Sequence, residues 1–423
     1  MLGEQALPAR VRIRSERVPG FHLLAKPTGA TCNLDCSYCF FLSKEMLYPG
    51  SRFRMADELL EAYIKQLIDA HGTREVCIAW QGGEPTIMGL PFFERSIEFV
   101  QKHRKPGQQV LYTLQTNATL IDDEWARFFK KHDFLVGVSI DGPRAMHDAY
   151  RVDKGGQPTF DKVMRGLKAL RKRGVEYNTL TTLHRANADK PAEVYRFLRD
   201  ECRSRYLQFI PIIERFTDQA QEWKTWRDRP LYKQEGANVT ERSVTAEQFG
   251  RFLIGVFDEW VRRDVGEVFV QAFDTALETW YAGEASLCIH KTTCGTSLAL
   301  EHNGDLYSCD HFVEPKHKLG NIADRPLIDL VNSPQQRWFG EYKQSSLPAY
   351  CRACDVRFAC NGGCPKDRFI NTPDGEPGLN YLCAGYKAFF HHVSRPMAVM
   401  TELLHQQRPP SEIVTLYRKG TLT

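Results

Sequence analysis

Thr31-Cys32-Asn33-Leu34-Asp35-Cys36-Ser37-Tyr38-Cys39-Phe40 places three cysteines in a Cys-x3-Cys-x2-Cys loop. The loop follows a short apolar run, Phe21–Ala25, that reads as a strand. Three thiolates on one tight loop can hold three irons of a cubane cluster and leave the fourth iron open. An open metal position is where a small molecule can bind and react. A zinc loop short of one ligand has the same spacing, so the surroundings must decide.

Outward from this loop, apolar runs alternate with amphipathic segments. Phe21–Ala25, Val76–Trp80, Val110–Leu114, Val136–Ile140, Tyr177–Leu183 and Leu207–Ile212 read as strands. Between them Ala56–Ala70, Phe92–His103, Asp123–Lys131, Phe160–Arg173 and Pro191–Cys202 carry helical apolar spacing. Near-continuously apolar strands joined through helices imply a parallel sheet covered by those helices. The fold class is therefore α/β, and six units suit an open, partial (β/α)6 TIM-type barrel better than a closed one of eight. Such sheets present ligands at the C-terminal ends of their strands.

Two of those ends carry chemistry. Trp80-Gln81-Gly82-Gly83-Glu84-Pro85 closes the second strand. Its adjacent glycines let a ligand approach the backbone, or simply make a turn. Val138-Ser139-Ile140-Asp141-Gly142-Pro143 closes the fourth, and His147-Asp148-Ala149-Tyr150-Arg151 follows. Ser139 offers a hydroxyl and Arg151 a fork suited to a carboxylate. Either alone would serve structure as readily; together they sit where such a sheet presents its ligand.

Glu214 to Ser243 is polar, holds Trp223, Trp226 and Pro230, and reads as a long insertion that contributes to a substrate groove. Thr245 and Gln248 form a capping-box signature ahead of a helix over Phe249–Arg262. From Cys288 the composition shifts. Cys288, Cys294, Cys309, Cys351, Cys354, Cys360, Cys364 and Cys383 lie amid Gly, Asn and Pro. A segment so rich in loops has little core of its own, and eight thiols suffice for two four-ligand metal sites. Spacing chooses neither between zinc and iron–sulfur nor how the eight divide. Cys77, inside a strand pattern, and Cys202, at a helix end, are left as buried thiols. Asp310, directly after Cys309, is either a turn residue or a general base beside a metal site; His311 is structural or a proton relay. The tail holds one helical stretch near Ala398–Gln406. The domain reading is residues 1–243 as the barrel, 244–284 as a connecting helical segment, 285–390 as the cysteine-rich domain and 391–423 as a helical tail.

The cluster loop, Gly82-Gly83-Glu84-Pro85, the Ser139–Pro143 strand end and the late cysteine module together resemble the radical S-adenosylmethionine (SAM) superfamily. Within it they are most similar to the anaerobic sulfatase-maturating enzymes, which carry a C-terminal twin-cluster (SPASM) domain. The resemblance spans Phe21 to about Tyr386. It implies a radical SAM core with a loop-rich iron–sulfur SPASM domain and three [4Fe-4S] clusters. Cys32, Cys36 and Cys39 would bind the SAM-cleaving cluster. Gln81, Ser139 and Arg151 match positions that hold SAM, the stretch Gly82, Gly83, Glu84 receives its amino group, and Ile212 lines the adenine pocket. The family pattern assigns Cys288, Cys294, Cys309 and Cys364 to one auxiliary cluster and Cys351, Cys354, Cys360 and Cys383 to the other. The activity implied is oxidation of a sulfatase Cys or Ser to Cα-formylglycine. A 5′-deoxyadenosyl radical would take hydrogen from Cβ, with Asp310 as base and the auxiliary clusters as electron acceptors. The implied partners are an unfolded or nascent sulfatase polypeptide and an electron donor such as flavodoxin or ferredoxin.

Composition bounds the rest. The 423 residues include 56 Lys+Arg against 52 Asp+Glu, 13 Cys, and 42% apolar residues with 25 Phe, 16 Tyr and 7 Trp, which excludes a disordered chain. The net charge of +4 counts every Cys as neutral, so it argues for neither a nucleic-acid partner nor a membrane surface. No apolar run approaches the ~20 residues of a membrane helix, and Met1 to Gly20 lacks a signal-type apolar stretch. The expected location is the reducing cytoplasm, where disulfides are rare and cysteines serve metals. Two other readings compete. A different peptide-modifying radical enzyme, forming thioether or carbon–carbon crosslinks, would often carry an N-terminal leader-binding domain, for which the stretch before the first strand is too short. A non-catalytic iron–sulfur or zinc protein would leave Gly82–Pro85, Ser139 and Arg151 without a shared purpose.

Overall fold

The structure, a computed structural model, describes residues 20–217, 233 and 235–420. The stretch preceding Gly20 and the residues Trp223, Trp226 and Pro230 lie outside the described residues.

Six parallel strands form the centre of the sheet: β1 (His22–Lys26), β2 (Glu75–Trp80), β3 (Gln109–Thr116), β4 (Phe134–Ser139), β5 (Tyr177–Leu183) and β6 (Tyr206–Pro211). They alternate with α1 (Asp57–Ala70), α2 (Leu90–His103), α3 (Asp123–Lys131), α4 (Arg144–Asp148), α5 (Phe160–Arg173) and α6 (Pro191–Arg196). Between β6 and the next long helix stands a hairpin, β7 (Arg215–Phe216) with β8 (Asn238–Val239). The helices start and stop on local chemistry. Asp122 caps α3 by accepting from the backbone N–H of Glu124 and Trp125, and Gly174 ends α5 in the left-handed conformation. The expected capping box of Thr245 and Gln248 opens α7 (Ala246–Arg263). Burial of aromatic side chains holds helices to sheet. Trp80 of β2 meets Tyr63, Phe92 and Phe93 edge-on at centroid distances of 5.5–5.9 Å, each pair adding about 0.5–1.5 kcal/mol beyond burial.

The sheet does not stop at the six strands. β9 (Phe269–Val270) pairs with β6 and leads into α8 (Gln271–Ala282). At the other edge β10 (Ser297–Glu301) runs parallel to β1, aligning His22 with Ser297 and Lys26 with Glu301. β11 (Asp305–Tyr307) and β12 (Lys318–Asn321) follow antiparallel. The cysteine-rich segment was expected to have little core of its own; it supplies three strands to the barrel sheet, with Leu298, Leu300 and Leu306 fully buried. A small separate ladder, β13 (Arg368–Asn371) with β14 (Pro377–Asn380), precedes a 23-residue helix, Cys383–His405. That helix is much longer than the expected Ala398–Gln406 stretch. It packs on α7 where Gly250 and Gly385 meet; a Cβ on Gly385 would stand 2.2 Å from the Ala246 carbonyl oxygen.

One glycine fixes the site's framework. Gly83 donates its N–H to the Gly29 carbonyl at 2.8 Å, and a Cβ there would stand 2.0 Å from the Thr31 carbonyl oxygen. The end of β2 therefore lies flat against the loop that carries Cys32. Gly83→Ala is expected to force that loop outward at a cost of about 1–3 kcal/mol. Thermal unfolding and iron content after reconstitution test this: a variant that matches the wild type in both would show that the contact is not needed.

Candidate active site

The turn after β1 (Gly29 N–H to Lys26 O, 3.0 Å; Thr31 N–H to Thr28 O, 2.9 Å) delivers the cysteine loop to the C-terminal ends of the strands. The loop is pinned to the segment around Arg151: Asp35 N–H donates to Val152 O at 2.8 Å and Ser37 N–H to Tyr150 O at 3.1 Å. Asn117 Nδ2 and the Leu34 N–H point at Cys32 Sγ, at 3.6 and 3.3 Å. Burial pushes the Cys36 thiol up to about 12, the Arg151 cation opposing it, and burial likewise raises Cys32 and Cys39. Thiols in such a setting give up their protons to a metal rather than to water.

These three cysteines line a cavity of about 230 Å³ together with Gln81, Gly82, Gly83, Ser139, Arg151 and Ile212. Asp310, His311 and Lys366 close it from the cysteine-rich segment. Of the residues expected at SAM, only the Glu84 side chain is absent from the lining. Its buried carboxylate accepts from Thr86 N–H (3.1 Å), Thr86 Oγ1 (2.6 Å), Thr116 Oγ1 (2.8 Å) and Asn117 N–H (2.8 Å). Glu84 is thus a brace between the ends of β2 and β3, and its backbone N–H is bonded to the Thr31 carbonyl at 2.9 Å. Ser139 Oγ accepts from Gln115 Nε2 at 3.0 Å, and Gln115 itself lines the cavity, which the sequence reading did not foresee. Gly137 makes the room, since a Cβ there would stand 2.0 Å from Gln115 Oε1.

Arg151 is only partly free for a carboxylate ligand: its Nε donates to Asp141 Oδ2 at 2.9 Å and its Nη2 to Thr182 Oγ1 at 3.3 Å. Asp141 also accepts from Tyr38 OH at 2.6 Å and Thr182 N–H at 3.0 Å. Burial alone would push the Asp141 carboxyl up; Arg151 and His184 overcome it and hold it well below the usual carboxylate range. Behind this pair His147 Nδ1 accepts the Asp141 N–H at 3.3 Å, which requires the neutral ring. Burial, then the Arg151 cation, pull His147 down to about 3. Between pH 6.5 and 3 the unfolded chain binds a proton that the native one refuses, so stability is expected to fall on acidification through that window. The slope is about 1.4 kcal/mol per pH unit from this group. Chemical denaturation followed against pH measures it, and a His147→Gln variant should flatten it; an unchanged slope would exonerate His147.

Asp310 sits in a cluster that the sequence did not announce. Lys26, fully buried at the end of β1, pairs with Asp310 Oδ1; Lys44 Nζ stands 3.6 Å from the same oxygen and 3.2 Å from the Asp310 carbonyl. The Phe41 ring lies 4.1 Å from Lys26 Nζ and 4.4 Å from Lys44 Nζ. A buried ammonium needs a paired anion, and Asp310, with Glu301 aligned beside Lys26, meets that need. Both lysines address Oδ1, and Asp310 itself lines the cavity. His311 is a half-buried ring, drawn well below its ordinary pKa by desolvation and then by Lys366, with Nδ1 3.9 Å from Cys364 Sγ.

The other eight cysteines fall into two neighbourhoods. The Cys309 thiol is raised by burial and by Cys288 and Cys294, and that of Cys364 by burial and, among the thiols, by Cys309. Cys351, Cys354, Cys360 and Cys383 line a second, smaller cavity, with Cys383 at the N-terminus of the long helix. Four thiols in each neighbourhood are a donor set that fits an iron–sulfur cluster with all four irons held. A cubane spreads its thiolates over separate irons, so the thiols need not converge on one point; among the described residues no such convergence occurs. Cys77 and Cys202 line neither cavity.

The sequence profile of the Radical SAM superfamily matches residues 27–198, and that of an iron–sulfur cluster-binding domain, SPASM, matches residues 283–355. Fold and site together define a radical SAM enzyme with an auxiliary iron–sulfur module. The chain is 43% identical over 403 residues to the serine-type anaerobic sulfatase-maturating enzyme of Bacteroides thetaiotaomicron, covering 95% of this chain and 96% of that one. It is 34% identical to the cysteine-type enzyme of Clostridium perfringens strain 13, over 89% and 96% of the two chains. The solved structure of native anSMEcpe with bound AdoMet and Cp18Cys peptide superposes with a TM-score of 0.79 at 32% identity, over 91% of this chain and 100% of that one. The chain belongs to the anaerobic sulfatase-maturating enzyme family.

Proposed function

We propose that the chain oxidises one Cys or Ser of an incompletely folded sulfatase to Cα-formylglycine, with Cys32, Cys36 and Cys39 holding the SAM-binding cluster. The observation that carries this is a single cavity in which the three-cysteine loop, the SAM-type strand ends and Asp310 meet. The eight later cysteines would hold two auxiliary clusters, in the sets Cys288/Cys294/Cys309/Cys364 and Cys351/Cys354/Cys360/Cys383. When bound, the SAM cluster supplies removal of a hydrogen atom from the substrate Cβ, and the auxiliary pair supplies a sink for the remaining electron. The chain's own part is binding and the proton. Gln81, Ser139 and Arg151 would orient SAM, Gly82 and Gly83 would offer it backbone, and Ile212 would flank its adenine. Asp310 Oδ2 takes the proton of the substrate thiol or hydroxyl, while Lys26 and Lys44 fix Oδ1. A serine substrate leaves as the aldehyde; a cysteine substrate leaves as the thioaldehyde, which water hydrolyses.

A low-potential donor of the flavodoxin or ferredoxin class would feed the first cluster. All thirteen cysteines are unpaired, and no helix among the described residues is long and apolar enough to cross a membrane; both support a reducing, cytoplasmic setting. The test is anaerobic reconstitution followed by SAM with a Cys- and a Ser-containing sulfatase peptide. Mass spectrometry should show loss of two hydrogens from the Ser peptide, or an aldehyde in place of the Cys thiol. SAM cleavage with both peptides unmodified would defeat the assignment.

A further inference from the structure

A buried lysine and a half-buried arginine stand among the auxiliary cysteines with no carboxylate ion-paired to them among the described residues. Lys343, fully buried on helix Pro334–Ser345, donates to the carbonyls of Cys288 (2.6 Å), Ile289 (2.9 Å) and Lys291 (2.5 Å). A neutral amine has two N–H donors and an ammonium three, so three accepting carbonyls select the charged form. Arg368, at the start of β13, spends its guanidinium on the carbonyls of Gly362 (2.9 Å), Asn361 (2.9 Å), Gly363 (3.3 Å) and Lys343 (2.6 Å) and on Ser346 Oγ (3.2 Å). Among the described residues no carboxylate forms an ion pair with either side chain. Lys26 and Lys44, by contrast, share Asp310.

Carbonyl dipoles satisfy the hydrogen bonds of a buried cation but do not cancel its charge, and such a charge is normally paired. The groups facing these two that can carry negative charge are thiols. Lys343 faces Cys288, Cys294 and Cys364, and Arg368 faces Cys294 and Cys364 as well as Cys351 and Cys360. Lys343 thus belongs to one neighbourhood, while Arg368 grips the Asn361–Gly363 turn that joins Cys360 of one set to Cys364 of the other. A four-thiolate cubane is net negative and becomes more so on reduction, so a fixed cation beside it favours the reduced state and raises its potential.

We propose that Lys343 and Arg368 are the counter-cations of the auxiliary centres. Lys343 biases the Cys288/Cys294/Cys309/Cys364 centre toward reduction, so that the centre adjoining Asp310 is the one poised to take the substrate's single electron. Both are positioning residues, acting through charge on groups that they do not ligate. The proposal rests on the reading of these eight cysteines as two iron–sulfur sites.

The experiment compares anaerobically reconstituted full-length wild type with K343Q and K343R, by iron content and by EPR-monitored redox titration with SAM present and no peptide. Wild-type iron well short of about twelve per chain would sink the cluster reading itself, before any variant is compared. With full iron, K343Q is expected to lower the reduced-to-oxidised ratio of one auxiliary centre about tenfold at fixed ambient potential, about 59 mV for a one-electron couple, and K343R to restore it. If K343Q loses one cluster's iron while K343R keeps it, the charge is required and the proposal stands. Wild-type potentials in a fully loaded K343Q, or equal iron loss in both variants, would overturn it in favour of a purely geometric role for the lysine's hydrogen bonds.

Discussion

Cys36→Ala is expected to cut the iron of the reconstituted protein from about twelve to about eight atoms per chain and to abolish SAM cleavage altogether. Cys36 is buried in a loop tied by backbone hydrogen bonds to Tyr150 and Val152, so no neighbouring thiol can swing in to replace it. Cys77 and Cys202, the two cysteines outside the three sets, sit apart in β2 and at the end of the α6 segment. The auxiliary sites are built on other elements and should keep their iron. A Cys36→Ala protein that still cleaves SAM, or that loses all its iron, would contradict the assignment of three independent sites.

Asp310→Asn is expected to lower formylglycine formation by about 10²–10⁴ while iron content and SAM binding stay at wild-type levels. An amide of the same shape cannot accept the substrate proton. It also removes the counter-charge of Lys26, and breaking a buried pair usually costs about 3–5 kcal/mol. Here that cost is softened, because burial, and then Lys44, already draw Lys26 well below the ordinary lysine range. Loss of its anion pushes Lys26 further in that direction, toward the neutral amine. The measurement is product by mass spectrometry alongside deoxyadenosine release. Normal product with Asn at this position would remove Asp310 from the chemistry; loss of SAM binding would mark it as structural.

The barrel strands were legible to within about two residues, because each is an apolar run bounded by polar turns and burial is written into composition. The strand Ser297–Glu301 was not. Five residues among cysteines carry no period of their own, and their partner is β1, far away in sequence. Helix Cys383–His405 was read short because Pro396 stands in its interior and its first turn looks like cysteine loop. That Cys32, Cys36 and Cys39 would share one cavity was legible from spacing and company; Lys26 was not, since one lysine closing an apolar strand reads as a solvated end. Glu84 was legible as important, but whether a carboxylate faces a cavity or braces two strands is a question of rotamer, which sequence does not encode.

The pairing of β1 with β10 bears on how the molecule is made. During synthesis the outer edge of the first strand has no partner until the ribosome has passed about residue 300, and Lys26 has no anion until Asp310 emerges. Through that interval the growing chain exposes an apolar edge of the kind that invites aggregation. Closure of the sheet, and with it the meeting of the three-cysteine loop and Asp310 in one cavity, becomes a late event of synthesis.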